Sequence, residues 1–241
     1  MTVYQGEELL HDARFPGESA EYRSARNELL RAEIALRRQE EDVAAKRRAL
    51  PLGGEISEDY AFDEWDPATG AERSVTLSEL FEDGKETLFL YSFMFIPGAA
   101  GLALEVGCPS CTSIIDSVDG EVPHITQRIN FAVVARAPIE RFRAHAESRG
   151  WRNARLLSAA STTYNADYQA ETPDGAQLPI ATVFRRRSGR IHHVWSSELL
   201  FAPLDPGEHP RHVDFMWPLW PILDRTPEGR GIDWGPSLEY S

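Results

Sequence analysis

ETLFLYSFMF (residues 86–95) and EVGCPSCTSIID (residues 105–116) are the stretches that predict how this chain folds. The first is almost continuously apolar and aromatic, as expected for a central strand covered on both faces of a sheet. The second holds the only two cysteines of the chain, Cys108 and Cys111, at the start of a helical pattern. We therefore expect the cysteines where a buried strand gives way to a helix.

Strand-like and helix-like segments alternate on both sides of this centre. Further strands are predicted at residues 59–65, 130–137 and 154–158, with a hairpin at 178–197. Helices are predicted at residues 113–129, 138–150 and 218–225. This order predicts an α/β fold in which helices flank a central mixed sheet.

Residues 19–50 are predicted to form one long helix. Its apolar residues recur every seventh position, at Tyr22, Leu29, Leu36, Val43 and Leu50. A seam this narrow suits a helix that lies along a surface, which we interpret as its own domain, with a dimerisation arm as the alternative. We expect residues 1–54 to form a helical arm and residues 55–241 to form the α/β domain with a Pro- and Trp-rich C-terminal extension.

Composition and charge exclude several classes of partner. The chain has 25 basic and 38 acidic residues, a net charge of −13, which repels nucleic acid and anionic lipid. No apolar run approaches the roughly 18 residues of a membrane span, and the N-terminus does not resemble a secretion signal. We expect a cytoplasmic protein that binds neither nucleic acid nor membrane.

A cysteine pair at a helix start favours redox chemistry. The unpaired N–H groups and the dipole of a helix N-terminus both stabilise a thiolate. Cys108 would attack and Cys111, one turn into the helix, would resolve the mixed disulfide. Pro109 suits the first helical position, and together with Ser110 it spaces the cysteines so that their sulfurs can meet.

Metal binding and inert packing are the rival interpretations of the cysteines. A structural zinc site needs four ligands, and the chain has no second cysteine pair. Histidines could complete a site only if the fold brought them to the cysteines: His192, His193, His209 and His212. We expect neither a metal nor a cofactor.

Arg136 is a further candidate for the site. It leaves a predicted buried strand at its carboxyl end, where ligands bind in open α/β sheets. A guanidinium there would stabilise a thiolate or bind an anionic substrate group.

Several motifs spread along the chain resemble the DUF899 family of thioredoxin-like proteins: YSFMFIPG, EVGCPSC, VDGEVPHI, FAVVARAPIERF and PLWPILDRTPEGRG. The resemblance implies a thioredoxin-like fold with an N-terminal helical extension, and no established activity. It also implies that Cys108 and Cys111 form the dithiol. Pro179 falls where thioredoxin-like proteins place a cis-proline that faces the disulfide.

We expect a thiol–disulfide redox protein that exchanges with a protein or small-molecule thiol or disulfide, or that reduces a peroxide. A homodimer is a possible assembly. The alternative is a non-enzymatic thioredoxin-like scaffold for binding or redox sensing, and a metal-binding protein is the less favoured one.

Overall fold

The computed structural model describes residues 10–66, 69–82, 84–97, 105–231 and 233–240. These residues belong to two compact units, one that ends at Pro51 and one that begins at Leu52. Within the described residues, no helix combines the length and the apolar character needed to cross a membrane.

The first unit is built around helix α1 (Ala20–Arg48), at the place the heptad pattern predicts. Ser19 begins the helix, where its side chain accepts a hydrogen bond from the N–H of Tyr22. Basic residues occupy the last turn, where they complement the helix dipole. The seam residues Tyr22, Leu29 and Leu36 are 51%, 53% and 60% exposed. Most of the apolar seam of α1 is therefore exposed.

The second unit contains the strands. In chain order they are β1 (Ala61–Asp66), β2 (Ala71–Thr76), β3 (Thr87–Phe93), β4 (Phe95–Pro97), β5 (Glu105–Gly107), β6 (Asn130–Ala135), β7 (Leu156–Ser158), β8 (Ala181–Arg187) and β9 (Arg190–Ser196). Among the described residues, seven of them form one mixed sheet in the order β2-β1-β7-β6-β3-β8-β9, while β4 pairs with β5. Strands β7, β6 and β3 are parallel, and β8 and β9 add an antiparallel hairpin beside β3. This is a thioredoxin-like fold with an N-terminal helical extension.

The described residues of the second unit form five α-helices, in chain order α2 (Pro109–Val118), α3 (Val122–Ile125), α4 (Ile139–Arg149), α5 (Tyr164–Asp167) and α6 (Leu219–Leu223). Because β3 and β6 join through α2, and β6 and β7 through α4, right-handed crossovers place α2 and α4 on the same side of the sheet. The first of these helices contains Cys111, and Cys108 immediately precedes it.

The two faces of the sheet carry separate cores. We call one the cysteine face: Tyr91 and Phe93 of β3 and Val133 of β6 pack there with the cysteines and α4. The C-terminal segment completes it, since Trp217 is buried and its Nε1 donates to Ser113 Oγ of α2 at 2.9 Å. Trp217 thus caps the core of the cysteine face.

We call the opposite side the tyrosine face. Leu88 and Leu90 of β3 pack there with Tyr60 and Tyr164. Alternation along one strand therefore separates the two cores, since successive side chains of β3 point to opposite faces.

Two features of the sheet differ from the prediction. Strand β2 is an additional strand that pairs with β1, and most of its residues are exposed, so it lacks an apolar alternation that a sequence could reveal. The apolar stretch 86–95 is divided at Met94, where β3 ends and β4 begins. The predicted hairpin is confirmed, with Ser188 and Gly189 at φ values of 52° and 78° in its turn.

Candidate active site

The pairing of β4 with β5 places Cys108 at the start of α2. Phe95 pairs with Gly107, and the N–H of Cys108 donates to the carbonyl of Met94 at 3.0 Å. The chain thus returns to the end of β3 immediately before the helix. Cys108 is the N-cap of α2 and Pro109 occupies the first turn, as the sequence predicts.

The two cysteines are free thiols that lie 3.9 Å apart. Cys108 is 7% exposed, whereas Cys111 is 1% exposed. The N-cap cysteine is therefore the more accessible of the two.

The surroundings of Cys108 stabilise its thiolate. The pKa of Cys108 falls to about 6, chiefly because the Cys111 thiol donates a hydrogen bond to it. Partial burial opposes this effect, but the backbone N–H groups of Cys111 and Ser110 and the Ser110 hydroxyl also donate to the sulfur. The groups that lower the pKa are thus those of the first helical turn.

The surroundings of Cys111 disfavour its thiolate, in contrast to those of Cys108. Its complete burial raises the pKa of the Cys111 thiol well above its ordinary value, and the neighbouring Cys108 raises it further. Two groups act against this, the Tyr91 hydroxyl and the backbone of Met94. The Tyr91 hydroxyl donates to Cys111 Sγ at 3.3 Å.

Gly107 and His145 form a close contact just before Cys108. A Cβ at position 107 would lie 2.5 Å from Cε1 and 2.6 Å from Nε2 of His145, so only glycine fits there. The imidazole shares a hydrogen bond of 3.0 Å with the Thr112 hydroxyl of α2. Burial lowers the pKa of His145, which favours its neutral form. No motif in the sequence links His145 to the cysteines, because the contact joins two different helices.

Gln177 holds β4 in place. Its Oε1 accepts from the N–H of Phe95 at 3.0 Å, and its Nε2 donates to the carbonyl of Phe95 at 2.9 Å. A side chain thus supplies hydrogen bonds that a neighbouring strand would otherwise make. The sequence shows only a glutamine in a loop, so this role was not predictable from it.

Arg136 makes an ion pair with Glu171. Glu171 forms a β-bridge with Gln177, so this ion pair anchors the loop whose glutamine holds β4. The groups of the described chain that shift the pKa of Cys108 belong to Cys111 and Ser110, and Arg136 is not among them.

The peptide bond before Pro179 is trans, as are all the peptide bonds of the described chain. The cis-proline that the family resemblance implied is therefore wrong. Two contacts hold the segment: the Pro179 carbonyl lies 2.8 Å from Nε2 of His212, and the carbonyl of Ile180 accepts from the N–H of Ser92 at 2.8 Å.

Of the four histidines considered as metal ligands, three have other partners and the fourth is exposed. His192 and His193 approach the Gly53 carbonyl and the Ser196 hydroxyl, His212 the Pro179 carbonyl, and His209 is exposed. In the part of the chain that the structure describes, no three His, Cys, Asp or Glu residues are grouped to hold a metal ion.

A search of curated proteins found no significant relative. Among solved structures, peroxidoxin BcpB from Mycobacterium tuberculosis is 18% identical, with 70% of this chain and 95% of that chain covered and a TM-score of 0.42. Thioredoxin peroxidase I of Plasmodium yoelii is 15% identical, with coverages of 78% and 100% and a TM-score of 0.42. A putative thioredoxin reductase from Burkholderia cenocepacia is 13% identical, with coverages of 66% and 90% and a TM-score of 0.43.

Likeness at this level says nothing about activity. The match to a protein family is much more extensive. Residues 13–240, nearly the whole chain, match the family described as "Bacterial protein of unknown function (DUF899)", and the chain belongs to this family.

Proposed function

We propose that this protein is a thiol oxidoreductase in which Cys108 is the nucleophile and Cys111 is the resolving thiol. One observation carries the proposal: an N-cap cysteine with a pKa of about 6 lies beside a buried cysteine whose pKa is raised. A thiolate is the form of cysteine that attacks a disulfide or a peroxide, and Cys108 is mostly thiolate at neutral pH. The opposite pKa shifts support the role of nucleophile for Cys108 and that of resolving thiol for Cys111.

In the first step the Cys108 thiolate attacks one atom of an S–S or O–O bond. With a disulfide RSSR, a mixed disulfide forms and RS⁻ leaves. With a peroxide ROOH, Cys108 becomes a sulfenic acid and ROH leaves after protonation. A peroxide gains both electrons in this step, whereas a disulfide completes its two-electron reduction only when the mixed disulfide is resolved.

In the second step Cys111 loses its proton and its sulfur attacks Cys108 Sγ. The Cys108–Cys111 disulfide forms, and RS⁻ or water leaves. An external thiol then reduces this disulfide in two exchange steps and returns both cysteines to the thiol state. The first of these exchanges occurs at Cys108, which is the more exposed sulfur.

Alkylation of the reduced protein tests the proposal. We expect Cys108 to react with iodoacetamide at a rate that is half-maximal near pH 6, because the thiolate is lost as pH falls below its pKa. Cys111→Ser should retain this reaction, and Cys108→Ser should lose it. A Cys108 that alkylates no faster than free cysteine at neutral pH would refute the proposal.

Two turnover assays then separate the substrates. Peroxide consumption and insulin reduction, each with dithiothreitol as the electron donor, should distinguish a peroxidase from a disulfide reductase. The Cys108→Ser variant is the blank in both assays.

A redox-sensing scaffold is the second candidate, and the burial of both sulfurs favours it. Since Cys108 is only 7% exposed, access to its sulfur is limited, which suits a small oxidant that reacts once. A sensor would form the Cys108–Cys111 disulfide stoichiometrically and show no turnover with excess thiol. Multiple turnovers in either assay would exclude it.

A further inference from the structure

Tyr91 is buried against the resolving cysteine. It lies on β3, the central strand, is fully buried, and its hydroxyl donates to Cys111 Sγ at 3.3 Å. We propose that Tyr91 is a catalytic residue of the second half-reaction, in which its hydroxyl stabilises the Cys111 thiolate as this sulfur attacks or leaves. The inference rests on the proposed function and names the group that makes its second step feasible.

The buried sulfur of Cys111 needs a hydrogen-bond donor while it carries negative charge. Cys111 must carry negative charge when it attacks the mixed disulfide and again when an external thiol displaces it from the Cys108–Cys111 disulfide. A charged sulfur without hydrogen-bond donors is strongly disfavoured in a site shielded from water. The donor must therefore come from the protein.

The contacts of Cys111 leave few candidates for that donor. The groups with the largest effects on the pKa of the Cys111 thiol are Cys108, the Tyr91 hydroxyl and the backbone of Met94. Cys108 has no thiolate and no proton once it is part of a mixed disulfide. Tyr91 is then the only side chain among these groups that can donate to the Cys111 sulfur.

Tyr91 acts as a hydrogen-bond donor that keeps its proton. Burial raises the pKa of Tyr91 well above its ordinary value, and the neighbouring Cys111 raises it further, so the phenol stays neutral throughout. The proton of Cys111 leaves to solvent. The donor does not need to reorient, because the hydroxyl already donates to Cys111 Sγ and the side chain is fully buried on a strand paired on both sides.

A chromogenic aromatic disulfide, dithiobis-nitrobenzoate, separates the two steps in a single turnover. The Cys108 thiolate attacks the probe and releases the first coloured thiolate. Cys111 then attacks Cys108 Sγ, releases the second thiolate and one proton, and leaves the Cys108–Cys111 disulfide. Both cysteines are oxidised while the probe is reduced by two electrons to two thiolates.

We expect Tyr91→Phe to keep the first release near the wild-type rate and to slow the second by about 10- to 100-fold, the range expected when a hydrogen bond to a charged group is lost. Reduction of the variant's Cys108–Cys111 disulfide by dithiothreitol should slow similarly, because Cys111 is then the leaving group. The matched control is Tyr164→Phe, since Tyr164 is equally buried but lies on the tyrosine face. It should leave both releases unchanged.

A second variant keeps the hydroxyl at position 91 and makes it a stronger hydrogen-bond donor, so the second release should become faster rather than slower. A ring-fluorinated tyrosine inserted at position 91 of the full chain is a stronger donor, and it should speed the second release several-fold. This result is also decisive if Tyr91→Phe does not fold.

Two kinds of failure are distinguishable. A wild-type protein that releases no thiolate, or only the first, would overturn the proposed function and this inference with it. A wild-type protein with both releases, whose second release is unaffected by Tyr91→Phe and by the fluorinated tyrosine, would overturn the role of Tyr91 alone.

Discussion

The two faces of the sheet each bury a tyrosine completely, yet only one of these tyrosines has a reactive partner. Tyr91, on the cysteine face, donates its hydrogen bond to Cys111. Tyr164, on the tyrosine face, points its hydroxyl toward Ser92 and Thr182 but has no hydrogen bond to a described residue. Burial raises the pKa of both phenols. The two phenols therefore share their burial and differ in their neighbours, since only the hydroxyl of Tyr91 donates to a thiol.

Aromatic packing also has different consequences on the two faces. On the tyrosine face, Tyr164 makes edge contacts with Tyr60 and Phe62 at 5.6 and 5.3 Å between ring centroids. On the cysteine face, Phe93 and Trp151 lie 5.6 and 5.4 Å from the His145 ring and hold it against Gly107. The first cluster fills the core, whereas the second restricts the backbone that precedes Cys108.

We expect the largest effect from a substitution that disrupts the packing of His145 against Gly107. Gly107→Ala would place a Cβ 2.5 Å from the His145 ring, which is confined by its aromatic neighbours and by Thr112. We expect a loss of about 1–3 kcal/mol in the free energy of unfolding, typical of an overpacked core, measured by urea denaturation. Gly120→Ala is the control, since a Cβ there meets nothing within 4 Å. Equal stabilities for the two variants would contradict a close packing of His145 on Gly107.

The next prediction concerns the low pKa of Cys108 and its dependence on Cys111. Cys111→Ala removes the thiol that is the main cause of the low pKa of Cys108. A hydrogen bond to a charged group contributes about 1.5–3 kcal/mol, so we expect the pKa of Cys108 to rise from about 6 by about 1 to 2. The pH profile of iodoacetamide alkylation measures the change, and the half-maximal rate should move to higher pH. An unchanged profile would mean that the helix N-terminus alone stabilises the thiolate.

We expect the smallest effects from removing single hydroxyl groups on the tyrosine face, where Tyr60 and Tyr164 can be compared. Tyr60→Phe removes a hydroxyl that donates to Asp167 Oδ2 at 3.0 Å, and we expect it to cost about 0.5–1.5 kcal/mol. Tyr164→Phe removes a hydroxyl that has no hydrogen bond to a described residue, and we expect the free energy of unfolding to change by less than about 0.5 kcal/mol. Urea denaturation compares the two variants. A larger loss for Tyr164→Phe would show that its hydroxyl does have a stabilising partner.

Much of the fold was predictable because it depends on local patterns. The heptad of α1, the apolar run of β3 and the proline at the start of α2 each act over a few turns or one strand. The placement of Cys108 at a helix start follows from the same local signals. Strand β2 was not predictable, since it is exposed and is defined only by its pairing with β1.

The sequence by itself determined a thioredoxin-like fold with a cysteine pair at a helix N-terminus. The tertiary structure decided what surrounds that pair, because each decisive contact joins residues far apart in the chain. Tyr91 and Cys111 are 20 residues apart, Thr112 and His145 are 33 apart, and Phe95 and Gln177 are 82 apart. Such contacts depend on sheet register and helix packing, which no local pattern encodes. They are also what distinguishes a buried tyrosine that only packs from a buried tyrosine that donates a hydrogen bond to a cysteine sulfur.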